Sequence, residues 1–198
     1  MELGIGGLET IVLRAGNAEA HVLPERGALV ARLRVAGQEL LYLDEATVAD
    51  RTKNVRGGIP VLFPIAGKLP NNRYSLGGAT YELPQHGFAR NRAWRVSESG
   101  SAHVECALSS NAETLAVWPF DFSASVRVAL EEQGSLTISL SVKNDSGARM
   151  PFHAGFHPYF FVPDALKHEA SVETDATRGY DNRGGVSGPI GTIDPART

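Results

Sequence analysis

Apolar and polar residues alternate along most of the chain, and this pattern predicts β-strands. In Ser135–Lys143 every second residue is Leu, Ile or Val and the residues between them are mostly Ser and Thr, so one face is apolar and the other polar. The pattern contains no amphipathic helix, and only Glu45–Arg51 fits a single helical turn. Similar runs, bounded by Gly, Asn or Pro, predict strands at Thr10–Leu13, Glu19–Leu23, Leu29–Val35, Leu40–Leu43, Arg73–Leu76, Thr80–Leu83, Ala93–Glu98, His103–Ser109 and Phe122–Leu130.

The segments between and after these strands complete the predicted architecture. Gly77-Gly78 separates two of the runs and predicts a hairpin, because glycine tolerates positive φ. His153–Val162 is apolar on both faces and predicts a central strand, whereas glycine-rich Thr174–Thr198 predicts a loop or tail. Many short strands separated by turns predict an all-β, antiparallel β-sandwich, with residues 1–198 forming a single domain.

Composition and charge narrow the class of protein. No apolar run approaches the roughly 20 residues of a membrane helix, and the N-terminus lacks the basic and apolar regions of a secretory signal. The net charge is −3 without a basic stripe, so nucleic-acid binding is not expected. Cys106 is the only cysteine, which excludes an intramolecular disulfide and fits a cytoplasmic location. These features favour a protein that handles a small molecule.

Two loop segments contain residues able to bind or transfer protons. Arg56 stands before Gly57-Gly58 in a stiff Gly-Pro turn, where it either presents its guanidinium to hydroxyls or a phosphate, or is simply solvated. His86, in Leu83–Arg90, is placed between two strands. It suits proton transfer near neutral pH, and a structural histidine is the alternative.

A third segment, Pro151–Phe160, places two histidines on one face of an extended chain. His153 and His157 are four residues apart, which is about 13 Å at ~3.3 Å per residue. One zinc ion cannot bind two ligands at that distance without a sharp bend. The sequence therefore favours His157 as a pocket residue, with Tyr159 and Phe160 as apolar wall, over a metal ligand.

Three motifs in this order resemble the aldose 1-epimerase (galactose mutarotase-like) family. They are RGGIPVLFP at Arg56–Pro64, LPQHGFAR at Leu83–Arg90 and GFHPYF at Gly155–Phe160. The resemblance covers Arg56 to Tyr159 well, the N-terminal strands loosely and the tail poorly. It implies the galactose mutarotase-like supersandwich fold and a reaction that interconverts the α and β anomers of a free or phosphorylated hexose.

The resemblance also implies roles for individual residues. His157 corresponds to the acid that protonates the ring oxygen, and His86 to a second histidine that hydrogen-bonds the sugar. Arg56 and Arg90 correspond to positions that hold sugar hydroxyls or a phosphate, and Asp181 to an acidic hydroxyl-binding residue. Many members have Arg where this chain has Lys68, which weakens the sugar-contacting role at that position. The family needs no cofactor, and no metal is expected.

The family's general base is a glutamate on a strand far beyond the GFHPYF segment, and the resemblance implies that this chain lacks it. Thr198 lies 41 residues after His157, so the sandwich is expected to be incomplete at its C-terminus. The uncovered sheet edges predict a homodimer. Three functions stay open: an aldose 1-epimerase with impaired activity, acting on a free hexose or a hexose 6-phosphate; a non-catalytic sugar-binding module; and a cupin-like metal enzyme using His86, His153 and His157.

Overall fold

The computed structural model describes residues 4–171, 173, 175–181 and 186–189. The chain divides into two compact units, Met1–Phe160 and Phe161–Thr198. No helix within the described residues has the length and apolar composition needed to span a lipid bilayer.

The first unit consists mainly of antiparallel strands. Its strands are Ile11–Ala15 (β1), Ala18–Leu23 (β2), Leu29–Val35 (β3), Gln38–Glu39 (β4), Val61–Leu62 (β5), Arg73–Leu76 (β6), Ala79–Glu82 (β7), Arg95–Ser99 (β8), His103–Ser109 (β9), Phe122–Leu130 (β10), Leu136–Asn144 (β11) and Gly155–Phe156 (β12). One sheet has the order β1-β2-β3-β4 and a second has the order β11-β10-β9-β8. Strand β6 pairs with β7 across the predicted Gly77-Gly78 turn, and β12 pairs with β5.

The two four-stranded sheets bury one shared core. Leu13 and Val22 from the first sheet lie in the same apolar cluster as Val104, Val126 and Val128 from the second sheet. Their burial follows the alternation seen in the sequence, since every second residue of β10 is buried. Fully burying each Val or Leu side chain contributes about 1.5–3 kcal/mol. The predicted all-β, antiparallel sandwich is therefore confirmed.

The described residues also form two short α-helices and several 3₁₀ helices. Helix α1 spans Glu45–Ala49, at the predicted single turn. Helix α2, Ala112–Val117, contradicts the prediction that the rest of the chain is free of helix. It begins at a capping box in which Asn111 and Thr114 each accept a hydrogen bond from the other's backbone N–H. Six residues are too few to show a helical apolar period. The 3₁₀ helices are Ile5–Gly7, Pro24–Arg26, Pro70–Asn72, Ala89–Asn91 and Asp164–Glu169.

The segment predicted as a central strand lies at a sheet edge instead. Only Gly155–Phe156 forms regular ladder pairs, with β5. The N–H groups of His153, His157 and Tyr159 bond to the carbonyl oxygens of residues 64, 60 and 58. Pro151 and Pro158 have no N–H to donate, which disfavours pairing on both sides. The apolar composition of the segment predicted that it would be buried, but most of its residues are exposed.

The second unit contains a hairpin where the sequence predicted a loop or tail. Strand β13, Arg178–Asp181, pairs antiparallel with β14, Val186–Pro189. Glycine and proline are uncommon in strands, so the sequence did not predict this ladder, in which Gly179 pairs with Gly188. The prediction of one domain over residues 1–198 remains a prediction.

Candidate active site

His86 lies in a tight turn that its neighbours hold in an unusual backbone conformation. The φ angles of His86 and Gly87 are 68° and 71°. The His86 N–H donates to the carbonyl oxygen of Gly67 at 2.8 Å, and the N–H groups of Phe88 and Ala89 both donate to that of Phe63 at 3.1 Å. A Cβ atom at Gly87 would lie 2.3 Å from the Phe63 carbonyl oxygen. Glycine is therefore required at position 87 by both space and φ.

His157 is held by backbone bonds to the Arg56–Pro64 segment. Its N–H donates to the carbonyl oxygen of Pro60 at 3.1 Å, and that of Tyr159 donates to Gly58 at 2.9 Å. Gly58 has a φ of 64°, and a Cβ there would lie 2.5 Å from the Val30 carbonyl oxygen. Gly58 thus lets the first motif pack closely against β3, and its carbonyl oxygen holds Tyr159 of the third motif.

The structure brings the two predicted histidines together. The His86 and His157 ring centroids are 5.6 Å apart at an interplanar angle of 63°. The Tyr159 ring lies 5.0 Å from that of His157. We call Gln85, His86, Arg90, His157 and Tyr159 the histidine cluster. Its members come from two segments separated by more than sixty residues of sequence, so only the fold places them side by side.

Gln85 and Arg90 surround His86 with polar groups. The Gln85 Nε2 atom lies 3.3 Å from His86 Nε2, and Arg90 Nη2 donates to the Gln85 carbonyl oxygen at 2.9 Å. The buried atoms His86 Nδ1 and Arg90 Nε have no hydrogen-bond partner among the described residues. Polar atoms of this kind are rare in folded proteins and are often found at functional sites.

The surroundings of His86 favour its neutral form. Burial lowers the pKa of His86 below its ordinary 6.5, and the positive charge of Arg90 and the nearby His157 lower it further. Burial also lowers the pKa of Arg90, while Tyr159 opposes that shift. A guanidinium nevertheless stays protonated in proteins. The cluster therefore combines a neutral imidazole with a fixed positive charge near neutral pH.

Among the described side chains, none of the other predicted site residues contacts the histidine cluster. Arg56 and Lys68 are exposed. The Arg56 backbone N–H donates to Thr47 Oγ1 at 2.9 Å, and Lys68 follows Gly67, whose carbonyl accepts the His86 N–H. The backbone of Asp181 ends β13, but its side chain lies outside the described part of the chain. The substrate-binding roles of these three residues stay predictions.

The alternative of a metal site finds no donor set in the described part of the chain. No three His, Cys, Asp or Glu side chains there are grouped so as to hold a metal ion. His153 is exposed, and its N–H donates to the carbonyl oxygen of Pro64. His86 and His157 meet without it, so the three histidines of the cupin-like hypothesis do not converge.

Sequence reasoning did not identify Gln85 as a site residue. Neighbouring side chains on an extended chain point to opposite faces, so a residue directly before His86 is expected to lie away from it. The left-handed backbone of His86 and Gly87 folds the two side chains together. The sequence signal for this turn was Gly87 directly after His86, because glycine permits a left-handed backbone.

Comparisons with known proteins agree with the fold and the motifs. Residues 9–194 match the family model of aldose 1-epimerases. A candidate glucose-6-phosphate 1-epimerase of Cenchrus ciliaris is 34% identical over 186 residues, which cover 88% of this chain and 53% of that protein. A candidate glucose-6-phosphate 1-epimerase of Escherichia coli K12 is 26% identical over 151 residues, covering 74% of this chain and 46% of its own. The chain thus spans about half the length of the curated relatives it matches.

Solved structures are similar over the same region. The Slr1438 protein of Synechocystis sp. PCC 6803 superposes with a TM-score of 0.88 at 36% identity, covering 94% of this chain and 66% of that one. A galactose mutarotase related enzyme from Lactobacillus acidophilus gives a TM-score of 0.69 at 31% identity, covering 78% and 50% of the two chains. The fold, the three ordered motifs and these similarities together establish that the chain belongs to the aldose 1-epimerase family.

Proposed function

We propose that this protein is an aldose 1-epimerase-type isomerase that interconverts the α and β anomers of an aldohexose. The observation that carries the proposal is the pairing of His86 and His157, whose ring centroids are 5.6 Å apart. Anomer interconversion needs proton transfer at two oxygens bonded to the same carbon. Two imidazoles at this separation can both face that carbon, His157 as the acid and His86 as a hydrogen-bond partner of the sugar, at contacts of about 2.6–3.2 Å.

His157 is the proposed general acid. A protonated imidazole donates a proton to the ring oxygen O5 while the C1–O5 bond breaks and its electron pair passes to O5. Solvent accepts the proton of the C1 hydroxyl, and the O1–H electron pair becomes the second C1–O1 bond of the open-chain aldehyde. Rotation about C1–C2 and ring closure then deliver either anomer. The reaction consumes no oxidant or reductant, so its chemistry requires no cofactor.

Arg90 is the proposed anchor for the sugar. Its half-buried guanidinium acts on His86 and interacts with Tyr159, and its Nε atom has no partner among the described residues. Such a group can bind hydroxyls or the paired oxygens of a phosphate. The names of the curated relatives favour a hexose 6-phosphate as the alternative substrate. Arg56, Lys68 and Asp181 are proposed as further sugar contacts, from the family motifs alone.

The carboxylate base implied by the family resemblance has no counterpart within the histidine cluster. The charged and titratable groups that act on His86 are Arg90 and His157. General acid or base assistance contributes about 10²–10⁴-fold each. We therefore expect slower turnover than in a protein with the carboxylate. A cytoplasmic location, inferred from the single cysteine, remains a prediction.

We further propose that the protein forms a homodimer through an aromatic edge made of Phe152, Phe156 and Phe160. These side chains are 42%, 36% and 68% exposed, and residues four apart on an extended chain share a face. Strand β12 pairs with β5 alone among the described strands, whereas Phe160 forms an isolated bridge with Leu41, so the unpaired edge lies at Phe152 and Phe156. An unpaired edge beside exposed aromatic rings favours association with another chain.

The test of function is anomer exchange measured by NMR saturation transfer between the two anomeric protons. D-glucose and D-glucose 6-phosphate serve as separate probes, with the spontaneous exchange rate subtracted. We expect the wild type to accelerate exchange of at least one probe and His157→Gln to lose about 10²-fold or more of that acceleration. Sugar binding without acceleration would instead identify a non-catalytic binding module.

A further inference from the structure

We propose that Gly27 is a positioning residue for Arg90, the residue proposed to anchor the sugar. This inference rests on the proposed function and extends it to a residue outside the histidine cluster. Gly27 is buried and directly follows the 3₁₀ helix Pro24–Arg26, in the connection between β2 and β3. None of the three family motifs includes it. The fold brings residues 24–27, which we call the Gly27 turn, against the backbone of Arg90.

The contact between Gly27 and Arg90 leaves no room for a side chain at position 27. A Cβ atom at Gly27 would lie 2.4 Å from the carbonyl oxygen of Arg90 and 2.5 Å from its Cα atom. Both are backbone atoms, which cannot rotate away as the end of a flexible side chain can. The Gly27 N–H also donates to the carbonyl oxygen of Arg92 at 2.9 Å. Gly27 therefore both contacts and bonds the 3₁₀ segment that contains Arg90.

The residue before Arg90 is held by other bonds, so a displacement forced at Gly27 reaches Arg90. Ala89 is completely buried, and its N–H donates to the carbonyl oxygen of Phe63 at 3.1 Å. Its own carbonyl oxygen accepts the Nε1–H of Trp94 at 3.0 Å. A close-packed interior transmits strain because it has few voids to absorb it. A collision at Gly27 must therefore be relieved at residues 90–92 or within the Gly27 turn.

The Gly27 turn is itself firmly attached, because its Arg26 side chain is buried and bonded. Arg26 Nη2 donates to the carbonyl oxygen of Thr47 at 3.0 Å. The hydroxyl oxygen of Thr47 in turn accepts the backbone N–H of Arg56 at 2.9 Å. One turn thus supports the backbone of both arginines proposed to hold the sugar, Arg90 through Gly27 and Arg56 through Thr47.

The position of the Arg90 backbone matters because the guanidinium must be aimed at its ligand. Its Nη2 atom donates to the Gln85 carbonyl oxygen at 2.9 Å, and its buried Nε atom has no partner among the described residues. A planar guanidinium binds oxygens only along the fixed directions of its N–H groups, and a misplacement of about 1 Å can cost about 10²-fold. A shift at Gly27 therefore weakens sugar binding, while His157 keeps its own anchor at Pro60.

The test compares two glycine substitutions that impose the same backbone strain. Gly27 and Gly37 both have a φ of 81°, but an added Cβ at Gly37 has no atom within 4 Å. Anomer exchange is measured over a series of sugar concentrations. We expect Gly27→Ala to raise the KM about tenfold or more and to change kcat less than about threefold, the pattern of lost binding, and Gly37→Ala to keep both. The charge of Arg90 lowers the pKa of His86, so an NMR titration of His86 should also shift in Gly27→Ala alone.

The outcomes separate this inference from the proposed function. A folded Gly27→Ala with the wild-type KM and His86 titration overturns the positioning role, and so does a loss confined to kcat. If the wild type accelerates exchange of neither probe, the proposed function fails, and the His86 titration still decides whether Gly27 positions Arg90. Thermal unfolding shows whether each variant is folded. If Gly27→Ala is not, Arg26→Lys decides, because it loosens the Gly27 turn without a collision. It should raise the KM about threefold or more, and an unchanged KM overturns the inference.

Discussion

The turn that presents His86 depends on backbone geometry at single residues. A non-glycine residue in the left-handed region costs roughly 1–2 kcal/mol, and His86 occupies that region with a φ of 68°. Its N–H bond to Gly67 and the paired bonds from Phe88 and Ala89 to Phe63 compensate for the strain. Strained backbone held by surrounding contacts is frequent at active sites. The position of the imidazole therefore depends on the fold of the whole loop.

Replacement of Gly87 by alanine tests this constraint. A Cβ at Gly87 would lie 2.3 Å from the Phe63 carbonyl oxygen, so the loop must shift in addition to adopting a strained φ. We expect Gly87→Ala to lower the free energy of unfolding by roughly 2–5 kcal/mol, combining backbone strain with overpacking. Urea unfolding provides the measurement. Gly78→Ala is the matched control, because Gly78 has a φ of 83° with no atom within 4 Å of the added Cβ. Equal losses in the two variants would show that strain alone matters.

At the scale of elements, a buried arginine ties helix α1 to the first sheet. Arg26 is 4% exposed, and its Nη2 atom donates to the carbonyl oxygens of Thr47 and Lys53 at 3.0 Å. Burial lowers the pKa of Arg26, and the charge of Arg51 lowers it further. The guanidinium thus donates to the Thr47 carbonyl at the end of α1, which has no helical partner, and to the Lys53 carbonyl in the turn that follows.

Removal of this guanidinium should weaken the α1 connection. Each buried carbonyl left without a donor costs about 1–3 kcal/mol, so we expect Arg26→Leu to lower the free energy of unfolding by at least about 2 kcal/mol. Hydrogen exchange of the amides in residues 47–53 should also accelerate. The control is Arg32→Leu, which removes an exposed ion pair with Glu45 and should cost about 0–1 kcal/mol. Similar losses in both would contradict a specific role for Arg26.

The elements differ in how far their sequences determine them. Strands β10 and β11 were predictable because alternation over nine residues each matches a half-buried surface. Helix α2 was missed because its start depends on a local capping box rather than on periodicity. The edge position of Pro151–Phe160 was also missed, since an apolar composition does not reveal which sheet edges lack a partner.

The histidines of the candidate site were predictable from the sequence, but their spatial arrangement was not. His86 and His157 could be chosen because ordered motifs and a family resemblance pointed to them. The 5.6 Å approach of their rings depends on long-range backbone pairing that no local pattern contains. The nearness of Gln85 depends on a left-handed turn. Local chemistry is therefore readable from residue type, whereas the relations between distant residues require the fold.

At the scale of the whole molecule, the aromatic edge predicts self-association. Phe160 is 68% exposed, and burial of an aromatic ring in an interface removes a large apolar area from water. We expect the wild type to elute as a dimer in size-exclusion chromatography with light scattering, and to dissociate on dilution. Phe160→Lys should be monomeric, because a charge placed in the interface would be buried without a partner. Its folded monomer should be little affected, since the side chain already faces solvent.

The control for this prediction adds the same charge elsewhere. Thr80→Lys changes an exposed position of β7 and should leave the dimer intact. A wild type that remains monomeric across the concentration series would overturn the proposed homodimer. The exposed aromatic rings would then have to be tolerated in solution by a single chain. Loss of the dimer in both variants would implicate net charge, which is −3 in the wild type, rather than the aromatic edge. Only selective loss in Phe160→Lys supports association through Phe152, Phe156 and Phe160.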